Sequence, residues 1–212
     1  WKVRRGLLRG KLPHELPLTL GWDVSGVIER LGPRSERYPV STAVIARPDI
    51  TRNGCYAQYV AVRESELAPK PHAVDHAHAA AIPLAGLSAW QILFDAPPPY
   101  SSIGLAPGQT LLIHGAAGGV GSLALQLAKW RGARVVATAS AHNLDWVREL
   151  GADQVIDYTR ERFEDAVGPV DAVLDLVGGE VQERSWNVLR PGGVLASTVS
   201  PPAETQAEAR GV

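Results

Sequence analysis

Cysteine is nearly absent from this 212-residue chain, and methionine is wholly absent. The one cysteine, Cys55, excludes an internal disulfide and any multi-cysteine zinc knot. A lone cysteine fits a reducing compartment, so the cytoplasm is the expected location. Neither sign of charge is in excess: Lys+Arg 21 against Asp+Glu 22 gives a net charge of −1. That balance offers no broad cationic surface, and nucleic acid is not an expected partner. No apolar run approaches the ~20 residues needed to cross a bilayer, so no membrane span is expected. Nothing at the start reads as a signal peptide. A chain that opens on Trp1 and lacks methionine is expected to be cut from a longer reading frame. What is present is apolar mass: hydrophobic residues make up 45%, enough for a core, which excludes wholesale disorder.

The chain has two textures. Residues 1–104 hold short apolar runs between Pro and Gly, such as Val24–Ile28, Ala43–Ala46 and Tyr56–Val62. These read as strands of a barrel-like domain. Asp75 offers an N-cap to a helix through Ala79–Ala81, Pro83 ends or kinks it, and a second helix runs near Leu87–Phe94. The stiff loop Pro97–Ser102 marks the boundary, and residues 105–212 form the second domain. There the pattern alternates. Strands are expected at Thr110–His114, Arg134–Ala139, Gln154–Asp157, Ala172–Leu176 and Val194–Val199. Helices are expected at Gly119–Trp130, Leu144–Leu150 and Val181–Leu189. The first helix should bury Val120, Leu123, Ala124, Leu127 and Ala128. Trp130, Trp146 and Trp186 read as packing residues. Such alternation predicts an α/β doubly wound parallel sheet of Rossmann type.

The sharpest local signal is His114-Gly115-Ala116-Ala117-Gly118-Gly119-Val120-Gly121, between the first strand and first helix of this half. The dinucleotide fingerprint is G-x-G-x-x-G in that context, and here Ala116, Gly118 and Gly121 hold its three positions. Gly118 lets a pyrophosphate approach the backbone, and Gly121 lets the helix pack close to the strand. The helix N-terminus then faces the anion. The second strand ends in Ser140-Ala141-His142-Asn143, with no carboxylate to hold a ribose 2′-hydroxyl or repel a 2′-phosphate. Ser140 and Asn143 can instead hydrogen-bond that phosphate, which favours NADPH over NADH. Val177-Gly178-Gly179 follows the fourth strand, at the carboxyl edge where such sheets bind ligands.

Together with three further stretches, these residues resemble the zinc-independent quinone oxidoreductase, or zeta-crystallin-like, branch of the medium-chain dehydrogenase/reductase superfamily. The stretches are Gly21-Trp22-Asp23-Val24-Ser25-Gly26-Val27-Ile28, Ala81-Ile82-Pro83-Leu84-Ala85-Gly86-Leu87-Ser88-Ala89-Trp90 and Gly151-Ala152-Asp153-Gln154-Val155-Ile156-Asp157-Tyr158. The likeness covers nearly the whole chain. It implies that the first domain is part of a GroES-like barrel, with strands missing before Trp1. It also implies a missing sixth strand in the Rossmann sheet and, as usual in the family, a homodimer. One departure is Val40-Ser41-Thr42-Ala43-Val44, where the family usually has Gly-Asp in a turn.

The resemblance implies a set of site residues. Ser88 matches the position whose hydroxyl approaches the nicotinamide; the plainer alternative is a helix hydroxyl bonded to its own backbone. Lys2 matches a position near the nicotinamide ribose, where an ammonium could polarise a carbonyl, or it is simply solvated. Tyr56 would line the substrate pocket or belong to a strand's core. Tyr158 matches the tyrosine that contacts the 2′-phosphate, or is a strand-end tyrosine with a solvated hydroxyl. Ala117, Gly119 and Val120 would contribute backbone contacts to the pyrophosphate beside the bare Gly118. The backbone near Val199 and Ser200 would face the carboxamide, and Val177 would bind the cofactor at the sheet's carboxyl edge. Zinc is not expected. Trp22-Asp23 stands where zinc alcohol dehydrogenases carry a His-Glu pair, and indole ligates no zinc. His72, His76 and His78 have no cysteine beside them and read as a solvated helix start. The implied reaction is hydride transfer from NADPH to a quinone or α,β-unsaturated carbonyl. The alternative is a non-catalytic nucleotide-binding or structural protein, or an inactive truncated product.

Overall fold

The computed structural model describes residues 3–10, 12, 15–98 and 100–203. By its contacts the chain divides into two compact units, Trp1–Leu84 and Ala85–Val212.

The first unit carries an antiparallel sheet of β1 (Val24–Val27), β2 (Ala43–Ala46) and β3 (Leu67–Pro69), in the order β1-β2-β3. The expected strand at Tyr56–Val62 is not one. Instead Gly54, Cys55 and Tyr56 donate their N–H groups to the carbonyls of Thr19, Gly21 and Leu20. An irregular crossing of two segments thus satisfies the backbone that a ladder would have satisfied. Helix α1 (His76–Ala80) follows, with the Asp75 carboxylate accepting from the His78 N–H at 2.8 Å as its N-cap.

The second unit opens within α2 (Pro83–Leu93), where Pro83 begins a helix rather than only ending one. Its Ala89 and Leu93 lie fully buried in one cluster with Leu111, Ile113, Leu125 and Val135. Contacts therefore group α2 from Ala85 onward with the sheet that follows, upstream of the Pro97–Ser102 loop. That sheet contains β4 (Thr110–His114), β5 (Arg134–Ala139), β6 (Gln154–Asp157), β7 (Val170–Asp175) and β8 (Leu189–Ser197). All neighbours are parallel, in the order β6-β5-β4-β7-β8, so the chain reverses direction across the sheet at β4. This is the doubly wound Rossmann pattern. The helices are α3 (Gly119–Trp130), α4 (Leu144–Glu149), α5 (Phe163–Ala166) and α6 (Glu180–Ser185).

Two apolar clusters cover the sheet. One gathers α2, α3 and α4 side chains with Leu111, Ile113, Val135 and Ala137. The other gathers Phe163 and Val188 with Leu112, Val136, Ile156 and Val173. Burial on both faces explains the unbroken apolar runs of β4 and β5.

Several bounds shift from expectation. β7 starts at Val170 and β8 at Leu189, so the expected long helix stops at Ser185. The buried stripe of α3 is Gly121, Ala124, Leu125 and Ala128, with Val120, Leu123 and Leu127 only partly buried. The stripe is turned because Gly121 faces the loop before it. Trp186 is buried as a packing residue should be, but Trp130 is 69% exposed. It joins Trp90 and Phe94 in an aromatic group with ring centroids 5.0–6.5 Å apart.

Candidate dinucleotide site

The turn after β4 is built by its glycines. Gly115 sits at φ 76°, a left-handed conformation that disfavours side chains. Its carbonyl accepts the Gly118 N–H at 3.0 Å, and Gly118 caps α3 from an extended conformation. Gly121 faces back onto this turn. A Cβ there would overlap the Gly115 carbonyl oxygen and lie 2.8 Å from the Ala116 Cα. Ala116 is fully buried and anchors the loop, whereas Gly118 and Gly119 are exposed. Ala117 and Val120 are half-buried against the core. The first N–H groups of α3 have no intrahelical partner. Bare glycine surface and free amides thus coincide at the carboxyl edge of the central strand, the geometry that accepts a diphosphate.

The flanking residues follow from strand order. On one side of β4 lie β5 and β6. Ser140 follows β5 directly; its hydroxyl accepts from Asn143 Nδ2 at 3.2 Å and its carbonyl from the Asn143 N–H at 2.8 Å. Tyr158 follows β6, is 60% exposed, and donates its N–H to the Ala139 carbonyl at 3.3 Å, which brings it beside Ser140. Asp157, just before it, is turned inward. Its Oδ1 accepts from the Thr159 N–H and hydroxyl, which hold its carboxyl below the usual carboxylate range. On the other side of β4 lie β7 and β8. Val177 and Val199 follow them and are about half exposed, at 51% and 49%. Val199 lies past the end of β8 rather than within the expected strand.

Ser88 lies on α2, one turn beyond Ala85. The Ala85 Cβ is 3.8 Å from where a Gly119 Cβ would stand, so this end of α2 flanks the glycine turn. Tyr56 belongs to the first unit and is 80% exposed, not a core residue. Its ring lies over Gly21, where a Cβ would come within 2.6 Å of Cε1. Lys2 lies outside the described residues.

The first unit's polar groups hold one another. Asp23 Oδ1 accepts the Leu84 N–H at 2.6 Å, and burial raises its pKa. Burial and the Asp23 charge both push the Cys55 thiol up, opposite to an activated nucleophile. His76 Nδ1 is 2.8 Å from the Ser25 hydroxyl, and His78 Nδ1 is 2.8 Å from Asp75. Among the described residues no three His, Cys, Asp or Glu side chains gather as metal ligands would.

Comparison with known proteins agrees with the fold. A family model described as zinc-binding dehydrogenase matches residues 119–210, and an alcohol dehydrogenase GroES-like domain model matches residues 1–72. The quinone oxidoreductase structure from Coxiella burnetii superimposes with a TM-score of 0.87 at 36% identity, over 99% of this chain and 65% of that one. The chain belongs to the medium-chain dehydrogenase/reductase superfamily. Within it, the Escherichia coli quinone oxidoreductase complexed with NADPH matches with a TM-score of 0.83 at 26% identity, over 99% of this chain and 65% of that one. A curated relative, the tomato (Solanum lycopersicum) 2-methylene-furan-3-one reductase, is 38% identical over 88% of this chain and 49% of its own length. The chain spans 48% to 63% of the length of such curated relatives.

One part of this superfamily member's rim escaped the sequence reading. Buried Asp175 and Gln182 form a polar knot with the half-buried Ser197 beneath Val177 and Val199. The available signal was a lone carboxylate ending the apolar run Ala172-Val173-Leu174-Asp175.

Proposed function

We propose that this chain carries the NADPH site, and part of the substrate side, of a zinc-independent reductase of quinones or α,β-unsaturated carbonyls. The observation that carries the reading is the glycine turn: Gly118 and Gly119 are exposed while Gly121 locks the loop to α3. The choice of NADPH rests on Ser140–Asn143, a segment near Tyr158 that presents hydroxyl and amide groups and itself contains no carboxylate. Superfamily members named quinone oxidoreductase and 2-methylene-furan-3-one reductase support the substrate class. The metal-free reading rests on Trp22-Asp23, which stands where zinc alcohol dehydrogenases carry a His-Glu pair, since indole ligates no zinc.

NADPH would supply a hydride to an electron-poor carbon of the substrate, while negative charge builds on the conjugated oxygen. Ala117, Gly119 and Val120 would hold the diphosphate through backbone amides, and Gly118, whose own N–H is donated to Gly115, would let it approach without a Cβ in the way. Ser140, Asn143 and Tyr158 would hold the 2′-phosphate. Val177, Val199 and the Ser88 hydroxyl would set the plane and distance of the nicotinamide. Tyr56 and Lys2 remain the proposed candidates for the hydroxyl or ammonium that would stabilise a developing oxyanion. Water can protonate the resulting enolate, so no strong side-chain base is needed. The proposed setting is cytoplasmic, and the proposed assembly of the full-length protein is a homodimer.

The test is titration with NADPH and with NADH, followed by tryptophan fluorescence, and then NADPH oxidation with a small quinone. Saturable binding that prefers NADPH, with oxidation, supports the proposal. Binding without oxidation indicates a nucleotide-binding protein without turnover. No binding of either dinucleotide refutes the cofactor assignment.

A further inference from the structure

Asp175 ends β7 with no solvent exposure. A buried carboxylate is costly unless each oxygen is satisfied, and four donors converge here. Oδ1 accepts the N–H groups of Val177 at 2.9 Å and Gly178 at 2.8 Å. Oδ2 accepts Gln182 Nε2 at 3.0 Å and the Ser197 hydroxyl at 2.9 Å. The same donors reach onward into the loop after β8. Gln182 Nε2 also donates to the Ser200 carbonyl at 3.0 Å, and Ser197 Oγ accepts the Val199 N–H at 3.1 Å. The Asp175 carbonyl accepts the Thr198 N–H at 3.2 Å. The two loops also touch directly: a Cβ on Gly178 (φ 80°) would lie 2.8 Å from Val199 Cγ1.

One carboxylate therefore fixes two loops of different strands against each other. Oδ2 faces two donors, so an amide nitrogen in its place would meet the Gln182 amide nitrogen with the wrong polarity, and Ser197 would have to turn its hydroxyl round to accept. Both loops lie on the β7–β8 side of the central strand, opposite the Ser140–Tyr158 side. A dinucleotide laid across the strand-order reversal places one nucleoside on each side. With the 2′-phosphate half over β5 and β6, the nicotinamide half falls over Val177 and Val199.

We propose that Asp175 is the positioning residue of the nicotinamide half-site, acting through Val177 and Val199 without touching the cofactor. This rests on the dinucleotide reading above. The experiment compares two ligands, NADPH and 2′-phospho-ADP-ribose, which lacks the nicotinamide. Wild type and Asp175→Asn are titrated with both, and folding is checked by circular dichroism. The variant is expected to bind NADPH about tenfold more weakly, the scale of one lost charge-assisted hydrogen bond. It should bind 2′-phospho-ADP-ribose within about twofold of wild type. Parallel loss of both ligands would mark Asp175 as a residue of general folding and overturn the proposal, as would no change in either. Should Asp175→Asn not fold, Ser197→Ala removes one donor to Asp175 together with the acceptor of the Val199 N–H, and should show the same selectivity at about threefold; equal effects on the two ligands would again overturn it. Wild type binding neither ligand would remove the dinucleotide reading itself, a result distinct from both.

Discussion

Replacing Gly121 by alanine tests the architecture of the diphosphate turn. The added Cβ meets backbone: the Gly115 carbonyl oxygen and, at 2.8 Å, the Ala116 Cα. Neither atom can rotate away, because Gly115 is bonded to Gly118 and Ala116 is fully buried. Overpacking commonly costs 1–3 kcal/mol, and a clash with backbone belongs in the upper part, about 2–3 kcal/mol. For a chain of this size that corresponds to a fall in Tm of roughly 4–12 °C. Gly119→Ala is the spatial control, since its Cβ meets nothing nearer than 3.8 Å. Gly119 is the first residue of α3, so alanine there should leave stability unchanged or raise it by up to ~1 kcal/mol. Its exposed methyl should nonetheless weaken NADPH binding. Thermal and urea unfolding followed by far-ultraviolet circular dichroism read the stability terms, and fluorescence titration reads binding. A Tm for Gly121→Ala within about 1 °C of wild type would refute the claim that a close backbone approach requires this glycine.

Burial pushes the His114 imidazole down to about 4, while Asp175 and Glu164 pull it up and Arg184 pushes it further down. With the unfolded value near 6.5, the unfolded chain binds the extra proton between about pH 6.5 and 4, so stability should be full above that window and fall by up to ~1.4 kcal/mol per pH unit on acidification through it. Urea titrations across this range should show the slope in wild type and its loss in His114→Gln; an unchanged slope would rule out His114 as its source. Phe163 is buried edge-on to His114 at a centroid distance of 4.5 Å, and Phe163→Ala should cost about 3–5 kcal/mol by denaturant unfolding. Ser140→Asp should weaken NADPH at least tenfold by fluorescence titration while leaving NADH nearly unchanged; equal effects would contradict the 2′-phosphate assignment.

The Rossmann half was legible because its strands are buried on both faces and its helices end on strong punctuation. β4, α3, β5 and β6 have the residues that the apolar runs predict. The glycine turn was legible too, since each glycine answers a local steric demand. What escaped depends on tertiary contact. α5 spans only Phe163–Ala166, too short for a helical period to register, and is held by the burial of Phe163. Tyr56–Val62 is a short apolar run like a strand, yet its first residue, Tyr56, pairs with the irregular segment at Leu20. The Asp175 knot joins residues from three elements, and no spacing in the chain announces such a meeting. The orientation of α3 depended on the close approach of Gly121, which turned its inward stripe from the one hydrophobicity favours.

The glycine turn has a kinetic corollary. The bonds that close it, Gly118 to Gly115 and Ser122 to Gly118, lie wholly within the polypeptide. The ordering entropy of the cradle is therefore met during folding, not at the moment of encounter. Capture of an incoming diphosphate should proceed as a single exponential whose rate rises linearly with ligand concentration, without a saturating isomerisation step.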